Sequence, residues 1–146
     1  MTLYHFSILI RDAGAETEGL EDRLFEAGCG DALVCFAGRA VYLEFDREAE
    51  SARAAVDSAM ADIRRAGFAD LVLQESGYAT LAEMAARSGL SRAALSNYAN
   101  GRRGSAFPAP VYGVASGSAL YSWREVAAWL YRHNQLQRPL YEVAQV

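Results

Sequence analysis

The 146 residues, just over half of them apolar and only three of them proline, can build one ordinary core or two small ones. Cys29 and Cys35, with no further Cys and no nearby His, match neither a disulfide framework nor a zinc-ligand set and read as reduced, mostly buried thiols. The net charge of −4 is divided unevenly: residues 1–75 carry seven Arg against fifteen Asp and Glu, a net of −8, and residues 76–146 carry seven Arg against three Glu, a net of +4.

Such a sign asymmetry is expected when only one half meets phosphate, and Arg, the only strongly basic residue type present, is the better bidentate partner for phosphate and guanine. The opening MTLYHFSILIRD lacks the basic start and long apolar run of a secretory leader, and no segment offers the ~20 apolar residues of a membrane helix, so the predicted location is the cytoplasm.

From Leu3 to Ile10 the residues alternate, with Tyr4, Phe6, Ile8 and Ile10 on one face and His5 and Ser7 on the other, the period of a half-buried strand. Leu20, Leu24 and Ala27 then sit at helical spacing, with Gly28 as the stop. Asp31 to Phe36 and Arg39 to Asp46 read as two strands joined at Ala37-Gly38, the second placing Val41, Leu43 and Phe45 on one face. Ala52, Val56, Ala59, Met60 and Ile63 repeat with helical period up to Gly67, and Ala69 to Glu75 supplies a last strand through Leu71, Val72 and Leu73.

The predicted order is β-α-β-β-α-β, which a ferredoxin-like arrangement of two helices on one face of a four-stranded antiparallel sheet would satisfy. The opposite face should present His5, Ser7, Tyr42 and Glu44, a surface suited to dimerisation, to contact with another domain or to a small ligand. An RNA-binding sheet is rejected, because the half is acidic and lacks the basic, aromatic-rich motif. His5 is isolated, and the acidic residues of the two helices read as solvent-facing.

Gly77-Tyr78-Ala79 reads as a short joint before TLAEMAARSGLSRAALSNYANGRRG. Thr80 and Glu83 form a capping box; Leu81, Met84 and Ala85 give the first helix its apolar face. Gly89 allows a tight turn, and Ser91 caps a second helix whose Leu95 and Tyr98 return to the core. Left outside are Arg92, Ala93, Ser96, Asn97 and Asn100, with Arg102 and Arg103 just beyond. These residue types match base edges: Arg for guanine, Asn for adenine, Ser for either, Ala for the thymine methyl. Phe107 to Val111, with two prolines, cannot be helix and reads as a wing or ordered arm. Ala115 to Ser118 is a loop tip, and Ser122 with Glu125 forms a second capping box opening a helix with Val126, Trp129 and Leu130.

Thr80 to Asn134 resembles the winged helix-turn-helix of phage excisionase and MerR-like DNA-binding proteins, with a Ser-led reading helix, a Phe-Pro-x-Pro-Val segment and a Trp-bearing helix, here WREVAAWL. FEAGCGDALV, LEFDREAESA and FPAP extend a similarity to small bacterial helix-turn-helix proteins over most of the chain. Excisionase-like proteins often carry a basic wing tip; the loop here, VASGSAL, is uncharged.

The expectation is an α+β chain with an acidic ferredoxin-like domain at 1–76 and a basic winged helix-turn-helix at 77–146. It would bind double-stranded DNA through Ser91, Arg92, Ala93, Ser96, Asn97, Asn100, Arg102 and Arg103, as a homodimeric transcriptional regulator that represses its own promoter. The rival reading is an interaction module, antitoxin-like or a phage-defence accessory, holding a protein partner through the acidic half. No metal spacing, glycine phosphate loop or nucleophile with a base points to an enzyme, and no cofactor is expected.

Overall fold

In a computed structural model, residues 1–101 and 106–146 are described; the chain is α+β and divides into two units, Met1–Glu75 and Ser76–Gln145. The first unit runs β1 (Thr2–Ile10), α1 (Leu20–Ala27), β2 (Ala32–Ala37), β3 (Ala40–Ala49), α2 (Ala52–Arg65) and β4 (Leu71–Leu73). Its strands form one sheet in the order β2-β3-β1-β4, with every neighbouring pair antiparallel. Alternation decides which face is buried. Tyr4, Phe6, Ile8 and Ile10 of β1 pair in register with Arg47, Phe45, Leu43 and Val41 of β3, and all the apolar members are buried. Each such side chain contributes about 1.5–3 kcal/mol when removed from water.

Both helices start and stop for local reasons. α2 opens at Ser51, whose hydroxyl accepts the Ala54 amide at 3.1 Å, and buries Ala52, Ala55, Val56, Ala59 and Ile63, leaving Met60 half-exposed. α1 buries Leu20 and Leu24, with Ala27 half-buried, and ends at Gly28. There φ is +115°, and a Cβ would lie 2.9 Å from an Asp62 carboxylate oxygen, so only glycine fits.

Several expectations are corrected here. The hairpin turn is Gly38-Arg39, not Ala37-Gly38, because Ala37 pairs with Ala40 and Gly38 alone takes the positive φ, +59°. β3 runs to Ala49 because β1 offers it a partner as far as Thr2. β4 is only three residues long; beyond it the Glu75 carboxylate, not a continuing strand, accepts the Ser7 amide at 2.8 Å.

Asp62 does not face solvent. Arg47, 8 % exposed, donates to Asp31 through Nε at 2.7 Å and Nη2 at 2.9 Å, to the Gly28 carbonyl at 3.0 Å and to the Ser58 hydroxyl at 3.1 Å. Its Nη2 also lies 2.9 Å from Asp62, which pairs with Arg65 as well. Hydrogen bonding to Asp31 raises the Arg47 pKa above its ordinary value. Cys29, buried beside this cluster, has its thiol pushed up to about 11, chiefly by burial.

Cys35 is only half-buried and lies on the open sheet face, a correction to the expectation for the thiols. The register lines up Cys35, Tyr42, Leu9 and Val72 across the sheet, so that face is more apolar than His5, Ser7, Tyr42 and Glu44 alone suggest. His5 is bonded to Asp46 at 2.7 Å.

The second unit runs β5 (Tyr78–Ala79), α3 (Leu81–Ser88), α4 (Arg92–Ala99), β6 (Tyr121–Ser122), α5 (Trp123–Arg132) and α6 (Arg138–Ala144). The expected joint at 77–79 is therefore partly strand, since Tyr78 and Ala79 pair with Ser122 and Tyr121. α6 was not anticipated; it is seven residues long, too short for helical periodicity to be read, although Pro139 in its first turn suits a helix start. The core is aromatic. Trp129 lies 5.0 Å from Tyr98, 5.1 Å from Phe107 and 3.8 Å from the His133 ring, centroid to centroid. Among the described residues no helix is long and apolar enough to cross a membrane.

Candidate nucleic-acid interface

The pair α3 and α4 is built by two caps and a glycine. The Thr80 hydroxyl accepts the Glu83 amide at 3.1 Å while the Glu83 carboxylate accepts the Thr80 amide at 3.2 Å, so α3 opens on a complete capping box. α3 closes at Gly89, whose left-handed φ of +77° reverses the chain; Leu90 follows, and the Ser91 hydroxyl accepts the Ala94 amide at 3.0 Å to open α4. Met84 of α3 and Leu95 and Tyr98 of α4 are buried in one cluster, with Ala85 and Ala94 packed against it.

On α4, Arg92, Ala93, Ser96, Asn97 and Asn100 fall within about 140° of arc, centred opposite Leu95 and Tyr98, by a turn of 100° per residue. Ser91, Arg92, Ala93 and Asn100 are exposed. Ser96 and Asn97 are half-buried, not fully outside. The Asn100 amide reaches the Ser96 hydroxyl at 3.5 Å, a weak bond that ties two of the candidate readers together. Arg92 and Asn97 have no side-chain partner among the described residues. Arg102 and Arg103 lie outside the described residues.

The other arginines of this unit are used differently. The Arg87 guanidinium sits 5.7 Å from the Trp123 ring, Arg124 donates to Gln145 at 3.2 Å, and Arg138 pairs with Glu142 at 2.8 Å. Arg132 is exposed, one turn beyond Ala128 on α5.

The proline-bearing stretch divides in two. Phe107, expected in a wing or arm, packs on Tyr98, Tyr121 and Trp129 and so anchors the chain to the core. A small hairpin follows, in which the Val111 amide donates to the Leu120 carbonyl at 2.7 Å and the Leu120 amide returns to Tyr112 at 2.8 Å. Gly113 sits within it at φ +74°, where a Cβ would come 2.0 Å from the Ser118 carbonyl oxygen, so no other residue fits that tight loop. Val111, Tyr112 and Val114 are exposed, a feature sequence reasoning missed although the lack of charge in VYGVASGSAL signalled it. The Tyr112 and Tyr78 rings meet edge to face at 4.9 Å, and a hydrogen bond with Tyr112 raises the Tyr78 phenol above its ordinary pKa.

The second anticipated box is present in its first half, the Ser122 hydroxyl accepting the Glu125 amide at 3.3 Å at the start of α5. Among the described residues no group of three His, Cys, Asp or Glu side chains could hold a metal ion.

No family model, curated protein or solved structure matches this chain. The reading of the site therefore rests on its own residues.

Proposed function

We propose that this chain is a cytoplasmic, sequence-specific DNA-binding regulator, with a winged helix-turn-helix in residues 77–146 and a ferredoxin-like domain in residues 1–76 that pairs two copies. One observation carries the reading: α4 is capped by Ser91, packed through Leu95 and Tyr98, and turns Arg92, Ala93, Ser96, Asn97 and Asn100 the other way. Those five side chains supply donors and acceptors suited to base edges in a major groove that admits one helix. In this reading the hairpin between Val111 and Leu120 serves as the wing; it is uncharged, so it would meet DNA through hydroxyls, backbone amides and van der Waals packing and not through ion pairs with phosphate. Two copies of so small a reader double the number of base pairs read.

The test is binding of the full chain to duplexes from upstream of its own coding sequence, and to a scrambled duplex, across a salt series. Affinity for the preferred duplex should fall linearly with salt on a log–log plot as phosphate counterions are released. Absence of binding to any duplex at low salt would sink the proposal.

A further inference from the structure

We infer that two copies of this chain join through the outer edge of β2, antiparallel and two-fold symmetric, making one continuous eight-stranded sheet. The argument begins with the two edges of the four-stranded sheet, β4 and β2. β4 is blunted by its length of three residues. β2 is not blunted. Its six residues, Ala32-Leu33-Val34-Cys35-Phe36-Ala37, contain no charge, no proline and no glycine, in a unit whose net charge is −8. Leu33 is 63 % exposed and Phe36 47 % exposed. A long, uncharged, apolar edge is what a monomeric protein avoids, because its free amides and carbonyls invite another strand.

The backbone says which groups are offered. The Asp46 amide donates to Asp31 at 3.1 Å, and Ala37 and Ala40 close the two-residue turn, so the odd-numbered residues of this stretch bond inward to β3. Val34 and Phe36 consequently turn their amides and carbonyls outward. Pairing Val34 with Phe36 of the second copy, and the reverse, uses both sets at once and sets Cys35 opposite Cys35 of the second copy. That register is also the one that brings Asp31 opposite Arg39 of the second copy at both ends of the strand. The Asp31 carboxylate already holds Arg47, so this end pairing adds favourable field in a strongly acidic unit without needing a new bridge. The strand itself carries no charge, its only nearby charges are brought together as Asp31 with Arg39 by this register, and an isologous contact of one patch with itself is the commonest way soluble chains pair, so a second copy is the partner that fits.

The pairing gives the two-fold reader of the preceding section its axis, and it is measured without DNA. Light scattering on the full chain should give a mass of two chains at high micromolar concentration. Because the two acidic units repel, dimerisation should strengthen as salt rises, opposite in sign to DNA binding, so failure of one reading is distinguishable from failure of the other. Cys35 lies in a non-hydrogen-bonded pair in this register, where Cα atoms approach to about 4.5 Å, within disulfide range. Diamide, which takes up the two thiol protons and two electrons, should therefore link two chains through Cys35, and Cys35→Ser should abolish the link.

Phe36→Lys and Leu33→Lys place a charge at exposed positions and should each return the protein to a monomer with its circular dichroism unchanged. Val34→Pro should do the same by removing an outward amide. A monomer at high concentration would overturn the inference, as would a dimer that survives both lysine variants. A dimer lost in those variants but not linked through Cys35 would overturn the register.

Discussion

Seven arginines stand in each half of the chain, and those the structure describes meet different partners in the two units: helix ends and buried carboxylates in the first, surface contacts such as Arg124 with Gln145 and Arg138 with Glu142 in the second. In Met1–Glu75, Arg47 is enclosed between Asp31 and Asp62, Arg23 donates twice to the Ala66 carbonyl, at 2.8 and 3.1 Å, and Arg65 donates to the Ala27 carbonyl at 2.9 Å. These guanidiniums close the C-terminal ends of α1 and α2, where carbonyls lack helical partners and the helix dipole is negative. In Ser76–Gln145 the core is instead stacked from aromatic rings around Trp129, and Arg92 is left on the exposed face of α4. The comparison teaches that a count of cations does not measure what a surface offers. Pairing within the fold withdraws some of them and leaves others available.

The sharpest way to break this comparison is to remove the centre of each unit. Arg47→Ala leaves two carboxylates and a carbonyl facing one another, and should cost the first unit about 3–5 kcal/mol, towards the lower figure because Asp31 keeps some water contact. Trp129→Ala should cost the second unit about 3–5 kcal/mol through lost ring contacts and the cavity left behind. Peptide-resolved hydrogen exchange reads the two units separately. If either substitution deprotected both units equally, the division into two cores would be wrong.

A smaller effect sharpens the comparison at the surface. Arg92→Ala or Asn97→Ala should weaken binding to the preferred duplex by about 1–3 kcal/mol while leaving scrambled DNA nearly unaffected, as a fluorescence-anisotropy titration would record. An unchanged ratio of preferred to scrambled affinity would move the base contacts away from α4, to the hairpin between Val111 and Leu120. Ser91→Ala should cost about 1 kcal/mol of stability by leaving the Ala94 amide without its cap, measurable as a lower urea midpoint for the Trp123 and Trp129 fluorescence transition.

The smallest expected effect belongs to Asp12 in the first unit. Its carboxylate accepts the Ala69 amide at 2.8 Å and the Asp70 amide at 3.3 Å, and the Ala69 bond chiefly holds its pKa below the ordinary 3.8. The unfolded chain therefore binds more protons in that acid window, so this contribution is present above the ordinary value and is lost as pH falls through the lowered one. Asp12→Asn should lower stability slightly at neutral pH, leave it almost unchanged in strong acid, and so flatten the acid limb of the stability curve. An acid limb as steep as that of the parent protein would deny Asp12 this role.

Local chemistry was legible wherever a few neighbouring residues suffice to set the outcome. The alternation from Leu3 to Ile10 named the buried face of β1, Gly28 the end of α1, and Thr80, Glu83, Gly89 and Ser91 the caps and turn of α3 and α4. On α4, helical spacing separated Leu95 and Tyr98 from the polar arc, because 3.6 residues per turn requires no knowledge of the neighbour. What the sequence left undecided all depended on distant partners. Asp62 looked like any exposed helix carboxylate until Arg47, on β3, came to lie against it. Phe107 read as part of an arm until Tyr98, Tyr121 and Trp129 enclosed it. Ser96 and Asn97 are half-buried although helical spacing sets them on the polar arc, and α6 was too short to show a period. Caps, turns and strand alternation are local interactions with a sequence address. Ion pairing, ring stacking and the sharing of a sheet edge are contacts between segments far apart in the chain, and only the folded geometry brings them within reach.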